Sequence, residues 1–351
     1  MADLPGTEVV DRLAPVDPAE RDRWLRSLDE DGAHALAMRS APALRQVEVG
    51  GDPTGGSGDT LDVVAWNLER GTHVDAAGDV LQSHQPDVVL LSEVDVGMAR
   101  SGNRHTVAEL AARLGHRYAY AVEFVELGLG DAGEAERLDP DATNESGFHG
   151  NGITSRLPLA EVLLIRIEAG GSWFHAETDQ PRVGGRMALA ARIELEGRPV
   201  VVCSLHLESG SDPSMRADQL AIVLEAIDRR YGALSCVVGG DLNTFSTSLE
   251  EGRTRFRELR DEDPTRFCWP VPYEPLFEVA ARHGFDVDAA NDAEQTMRLR
   301  AEQRPGSLLR LDWLLVRDLQ VTAHATVPAV DPQGLVISDH DAVSATLHHL
   351  A

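Results

Sequence analysis

The sequence predicts a layered α/β or α+β domain. Three observations carry that prediction. Apolar runs of strand length recur along the chain, among them LDVVAW (61–66), DVVLLSE (87–93), RPVVVCSLHL (198–207), LSCVVGGD (234–241) and LRLDWLLV (309–316). Segments with a helical apolar stripe lie between them. The runs close on polar or turn-forming residues, as strands packed into a sheet do.

The elements follow in order. Residues 18–40 have a helical pattern with Trp24, Leu25 and Leu28 on one face, and Asp17-Pro18 supplies an N-cap followed by proline at the first helical position. GGDPTGGSGDT (50–60) has the composition of a turn or linker. Residues 1–49 therefore read as an N-terminal helical arm docked on the main domain, 50–60 as a glycine-rich linker and 61–351 as that domain. After the strand at 61–66, residues 75–84 suit a short helix and 87–93 a buried strand. Thr106, with Glu109 three residues on, has the form of a capping box. It opens a helix with Val107, Leu110, Ala111 and Leu114 as its stripe and Gly115 as its stop. Residues 126–148 are acidic and glycine-rich, which predicts a long surface loop. RMALAARIEL (186–195) alternates as a strand and meets the strand at 198–207 across a turn at Glu196-Gly197. Asp212-Pro213 starts a helix carrying Leu220, Val223, Leu224, Ile227 and Tyr231. Residues 275–284 form a helix closed by glycine, and 341–347 a last strand.

Composition narrows the function. The 351 residues include 58 acidic and 32 basic ones, for a net charge of −26, and every basic residue is an arginine. Such a balance argues against a broad basic nucleic-acid surface, because duplex binding draws on phosphate neutralisation. Cys203, Cys236 and Cys268 lack the close pairing of a disulfide framework or zinc knuckle and read as small buried apolar residues. No apolar run reaches the ~18 residues of a membrane span. The N-terminus lacks a basic start followed by an apolar stretch, so a soluble, cytoplasmic protein is expected.

Polar groups collect at the strand ends. Asn67 and Glu69 follow LDVVAW, Glu93 follows DVVLLS, and His206 lies near the end of VVVCSLHL. Asp241 and Asn243 follow CVVGG, and Ser338, Asp339 and His340 precede the last strand. Asp312 stands inside an apolar strand, where burial is costly unless the group is paired. Each residue alone has a plain explanation as a turn former or a satisfied polar group. Together they supply carboxylates, carboxamides and two histidines to one rim of one sandwich. Glu69, Glu93, Asp339 and the Asn67 carbonyl are hard oxygen donors suited to Mg²⁺ or Mn²⁺. A divalent ion beside a phosphate neutralises charge, and two histidines can stabilise a phosphorane-like transition state or carry protons.

At this point the chain resembles the endonuclease/exonuclease/phosphatase superfamily over residues 61–349. The resemblance rests on WNLERG (66–71), LLSEVD (90–95), HGNGITSRLPL (149–159), CSLHLES (203–209), GGDLNT (239–244), RLDWLLV (310–316) and ISDHDAV (337–343), in the family order. It implies a four-layer sandwich of two packed mixed β-sheets flanked by helices. It also implies roles. Asn67 and Glu93 are similar to the metal-site pair, with Glu69 an additional carboxylate near the ion and Asp339 a further one beside the second histidine. His206 resembles the first catalytic histidine. Asp241 would orient or deprotonate water, and Asn243 would contact phosphate. Asp312 looks like the residue that orients His340. Asn151 and Arg186 resemble phosphate-side contacts. Arg100, Asn103 and Arg104 are expected to border the cleft, His149 to stand near substrate, and Arg216 and Gln219 to be structural.

The expected activity is Mg²⁺- or Mn²⁺-dependent hydrolysis of a phosphodiester or phosphomonoester by direct water attack. No basic clamp for duplex DNA is visible, and the acidic 126–148 segment would repel a polyanion. A small-molecule or lipid-headgroup phosphoester is therefore favoured as substrate. The alternatives are a nuclease acting on DNA or RNA, and a catalytically silent member that binds a phosphorylated partner.

Overall fold

The computed structural model describes residues 7–56, 58–168, 170–247, 252–298 and 309–350. The first part comprises β1 (Glu8–Val10), α1 (Pro18–Arg26), α2 (Ala33–Ser40), β2 (Gln46–Gly50), β3 (Leu61–Arg70), α3 (Val74–His84), β4 (Val88–Val96) and α4 (Thr106–Leu114). The middle holds β5 (Arg117–Glu126), α5 (Ala132–Ala135), β6 (Phe148–Ser155), β7 (Ala160–Arg166), β8 (Arg182–Gly184), β9 (Met187–Leu195) and β10 (Arg198–His206). The last part comprises α6 (Pro213–Tyr231), β11 (Ser235–Asp241), α7 (Gly252–Glu262), α8 (Thr265–Cys268), α9 (Leu276–Arg282), β12 (Asp312–Arg317), β13 (Leu319–Val327) and β14 (Ala342–His349).

The strands form two mixed sheets. The larger runs β1-β2-β5-β6-β4-β3-β14-β13, with β8 also paired to β5; the smaller runs β12-β11-β10-β9-β7. Side chains alternate across each strand, and the alternation sorts the core into layers. Val63 and Ala65 of β3 face Val200 and Val202 of β10 and Leu314 and Val316 of β12 between the sheets. Val64 and Trp66 face outward, where Leu81 of α3 and Val107 and Leu110 of α4 cover them. On the far side, Val201, Cys203 and Leu205 of β10 meet Leu220, Val223 and Leu224 of α6 and Phe277 of α9. The result is the expected four layers: helices, sheet, sheet, helices.

Several elements differ from the sequence reading. Residues 18–40 form two helices, not one; Trp24 is buried, but Leu25 is 43% exposed. β1 and β2, within the stretch read as a helical arm, join the larger sheet, β2 pairing antiparallel with β5. The cap of α4 is His105, whose side chain accepts from the Ala108 N–H, and Thr106 is the first helical residue. The acidic loop spans 127–147, as expected within a residue at each end, and carries within it α5 under a capping box of Asp131 and Glu134.

The sheets approach closely beside the strand ends that matter most. A Cβ on Gly239 would stand 2.7 Å from Leu314 Cδ2 and 2.9 Å from Ala65 Cβ and Leu90 Cδ1. Gly240 has φ +145°, and a Cβ there would lie 1.9 Å from the Leu205 carbonyl oxygen. Only glycine meets both demands. This contact brings the next residue, Asp241, within reach of the larger sheet.

Candidate active site

Strand register lines up three functional groups. His206 at the end of β10 pairs with Asp241 at the end of β11, and Asp241 pairs with Asp312 at the start of β12. Asn67 reaches from the larger sheet and donates through Nδ2 to Asp241 Oδ2 at 3.1 Å, joining the two sheets. The Asn243 N–H donates to Asp241 Oδ1 at 2.9 Å, and Asn243 Nδ2 to the Leu207 carbonyl at 2.9 Å.

Both histidines point at the same atom. His206 Nε2 lies 3.7 Å and His340 Nε2 3.8 Å from Asp241 Oδ2. His340 Nδ1 sits 2.7 Å from Asp312 Oδ2, as a charge-assisted hydrogen bond would require. The Asp312 and Leu311 N–H groups donate to Thr296 Oγ1, which secures the start of β12. Around His340, Trp66 Nε1 donates to the His340 carbonyl and Ser338 Oγ to the Asn67 carbonyl, so the last strand's entry is tied to β3. His206 is backed by Arg186, whose Nη1 lies 2.9 Å from His206 Nδ1 and donates to Glu123 Oε1 at 3.1 Å, while its Nε donates to Glu208 Oε2 at 3.0 Å.

This packing sets the protonation states. Burial pushes the Asp241 carboxyl up, Asp312 adds to that, and the two histidines pull against it; the net shift is upward. Burial opposes the His340 imidazolium, but Asp312 and Asp241 override it and hold the proton well above the ordinary histidine range. Burial also opposes the Glu123 carboxylate, which Arg186 and His206 nevertheless bring down to about 2.

Beside this cluster lies a cavity of about 860 Å³, walled by Glu69, Glu93 and Asp339 and by Arg70, Arg100, Arg137 and Arg298. His206 Nε2 is 3.9 Å from Glu93 Oε1, so the buried histidine adjoins the cavity through that carboxylate. Glu69 Oε2 accepts the Asp339 N–H at 3.0 Å, and the Glu69 N–H donates to Asn67 Oδ1 at 3.0 Å. The donors are hard oxygens and match a divalent ion of the Mg²⁺ or Mn²⁺ type. Asp241, Asp312 and His340 also bring one donor atom each within 4.8 Å of one another. Asp312 and His340 spend theirs on each other, whereas Glu69, Glu93 and Asp339 offer hard oxygens along the cavity wall, Glu93 with Arg70 against it.

The structure thus brings Asn67, His206, Asp241, Asn243, Asp312 and His340 together and places Glu69, Glu93 and Asp339 on the adjoining wall. Arg186 is 4% exposed and stands behind His206. Asn151 is buried in β6; its Nδ2 donates to the Met187 carbonyl, and its Oδ1 has no partner. The Arg100 side chain is buried and bonded to Asp95, and Asp95 in turn to His149. Asn103 and Arg104 bind neighbouring loop and helix groups at the surface. Arg216 and Gln219 are structural: Arg216 pairs with Glu274, and Gln219 Oε1 accepts the Glu208 N–H. The sequence reading missed Glu123, Glu208 and Arg70. Glu123 carried a signal, since it interrupts the apolar run AYAVEFV just as Asp312 interrupts its own.

Residues 64–340 match the Endonuclease/Exonuclease/phosphatase family. The chain belongs to that family. Its members hydrolyse phosphoesters. Among solved structures, an endonuclease/exonuclease/phosphatase from Beutenbergia cavernae is similar at 20% identity and TM-score 0.55, over 83% of this chain and 72% of that one. The human Nocturnin catalytic domain with a bound sulfate anion is similar at 16% identity and TM-score 0.53, over 87% and 97% of the two chains. Danio rerio TDP2 complexed with a single-strand DNA product is similar at 17% identity and TM-score 0.51, over 83% and 100%. At these identities the likeness is one of fold. No curated protein matches the chain. Among the described residues no helix is long and apolar enough to cross a membrane.

Proposed function

We propose that this endonuclease/exonuclease/phosphatase member is a Mg²⁺- or Mn²⁺-dependent phosphoester hydrolase that uses direct attack by water. The observation that carries this reading is the convergence of two imidazole Nε2 atoms and the Asn67 amide on Asp241 Oδ2, beside a carboxylate-lined cavity. Asp241, with its raised carboxyl, orients the attacking water and accepts its proton. His340, held as an imidazolium by Asp312, donates to a phosphoryl oxygen as negative charge builds there. His206 offers a second donor, and Arg186 and Glu123 fix its ring. Asn243 supports Asp241 through its backbone N–H. Asn151 Oδ1 is an acceptor and cannot hold a phosphate oxygen, so a substrate contact there would use the second N–H of Nδ2. A divalent ion held by Glu69, Glu93 and Asp339, with Asn67 adjacent, would polarise the phosphoryl group.

We favour a small phosphoester or lipid headgroup over duplex DNA. The cavity gathers Arg70, Arg100, Arg137 and Arg298, whereas the whole chain carries −26. The same wall carries the carboxylates of Glu69, Glu93, Asp131, Glu134 and Asp339, so the positive charge that holds one or two phosphates would come from a bound divalent ion together with these arginines. The second reading, a nuclease, draws on the likeness to TDP2, which holds a single-strand DNA product. A panel of small phosphoesters, lipid headgroups, nucleotides and plasmid tests the assignment with Mg²⁺, with Mn²⁺ and after chelation. Turnover is expected with either ion and should vanish in chelator; full activity in metal-free protein overturns the metal-dependent reading.

A further inference from the structure

Arg70 occupies an unusual position in the cavity wall. Its guanidinium pairs with Glu93 through Nη1 and donates through Nε to Glu134 Oε1 at 3.2 Å. It therefore bridges a carboxylate assigned to the ion and the short helix α5. Glu134 is held from its other side by Arg100 Nη1 at 2.9 Å, and Arg100 is itself bound to Asp95 at 2.8 Å.

The backbone is bent to make this bridge. Glu69 and Arg70 have φ +43° and +71°, followed by Gly71 at +69°. The β3·β4 register slips between Asn67 and Arg70 at the same point. Two successive non-glycine residues in the left-handed region cost free energy, and such strain is kept where the aim of a side chain matters. Here it turns Glu69 toward the Asp339 N–H and Arg70 toward Glu93.

We infer that Arg70 is a tethered counter-ion on Glu93, which a divalent ion must displace, and that its displacement loosens the hold on Glu134 and α5. The inference rests on the metal-dependent reading above. A guanidinium and a divalent cation at one carboxylate compete by charge and by space. Once displaced, Arg70 remains in the cavity as a cation on a flexible stem, placed to meet an incoming phosphate. Arg70 competes with the ion for Glu93 in this scheme, and it latches α5 only while its guanidinium stays between Glu93 and Glu134.

Mn²⁺ binding measured calorimetrically on the full chain without substrate tests the idea. Arg70→Met should bind Mn²⁺ about tenfold or more tightly than wild type, because the cation paired with Glu93 is removed. Equal or weaker affinity in the variant, with measurable binding in wild type, overturns the inference alone. Absence of Mn²⁺ binding in both proteins overturns the inference together with the metal-dependent reading. If Arg70→Met does not fold, hydrogen exchange on the wild-type chain serves instead. Mn²⁺ should then speed exchange in residues 131–138 and leave α4 unchanged; unchanged or slower exchange in 131–138 overturns it.

Discussion

Asp241 Oδ2 is the atom on which the site converges, and its neighbours specify what substitution should do. Asp241→Asn keeps the shape but removes the proton acceptor. His206→Ala removes one donor while Arg186 and Glu123 stay paired with each other. Each variant should lower kcat at least ~10²-fold, the lower range for an acid–base group, with an unchanged circular dichroism spectrum. Near wild-type turnover in either one would contradict the assigned role. Asp312 acts through His340, so Asp312→Asn should release the imidazolium. The His340 ring resonances should then titrate at lower pH than in wild type, and an unmoved midpoint would mean that Asp312 does not hold the proton.

At the scale of elements, the end of β11 owes its place to two glycines. Gly240→Ala meets the Leu205 carbonyl in a left-handed conformation, a backbone clash that no rotamer relieves. Gly239→Ala meets the ends of Leu314 and Leu90, which can move, as well as Ala65. Gly239→Ala should cost about 1–3 kcal/mol as an overpacked core does, and Gly240→Ala more; equilibrium urea unfolding gives both numbers and would refute the order if it were reversed. A second element-scale device ties the ends of β4, β5 and β6. Asp95 accepts from Arg100 at 2.8 Å and pairs with His149 at 2.8 Å, and Arg100 reaches Glu126. Burial opposes the Asp95 carboxylate, yet Arg100 and His149 bring it down to about 2. A depressed carboxyl contributes stability above its ordinary pKa of about 3.9, and that contribution fades as pH falls through the folded value. Wild type should exceed Asp95→Asn by about 2 kcal/mol near pH 7, and the gap should close between pH ~4 and ~2. A gap that persists to the lower pH would assign the effect to packing instead.

The whole molecule carries −26, so its long-range field opposes a polyanion even though four arginines face the cavity. Plasmid DNA should bind weakly at physiological salt, and nicking should be slow beside small-phosphoester turnover under the same metal conditions. Efficient nicking at low enzyme concentration, without turnover of any small phosphoester, would make the nuclease reading the leading one. Salt offers a second measure: a duplex-binding enzyme loses affinity steeply as salt rises, whereas hydrolysis of a compact ester should change little.

Much of this was legible in the chain itself. Apolar runs closed by Asn67, Glu93, His206 and Asp241 announced strands whose ends carry polar groups, because a sheet's interior needs apolar residues and its rim does not. Asp312 announced a partner, because a carboxylate inside LRLDWLLV is costly alone; the partner proved to be His340, 28 residues away. The arm was less legible. β1 and β2 are short and carry Glu8, Gln46 and Glu48, so their pattern gives little hint of a sheet until β5 is there to pair with. Arg186 and Arg70 were the least legible. Their local sequence says only that they are cations near strand ends. Whether such a group meets substrate, backs a histidine or neutralises Glu93 depends on which carboxylates other strands bring near it, and that is a property of the two sheets packed together. Local pattern therefore determined the strands and most of the polar groups that gather on their rim. Tertiary packing decided which charges pair, since a charge is positioned by all its neighbours at once and most of those lie far away along the chain.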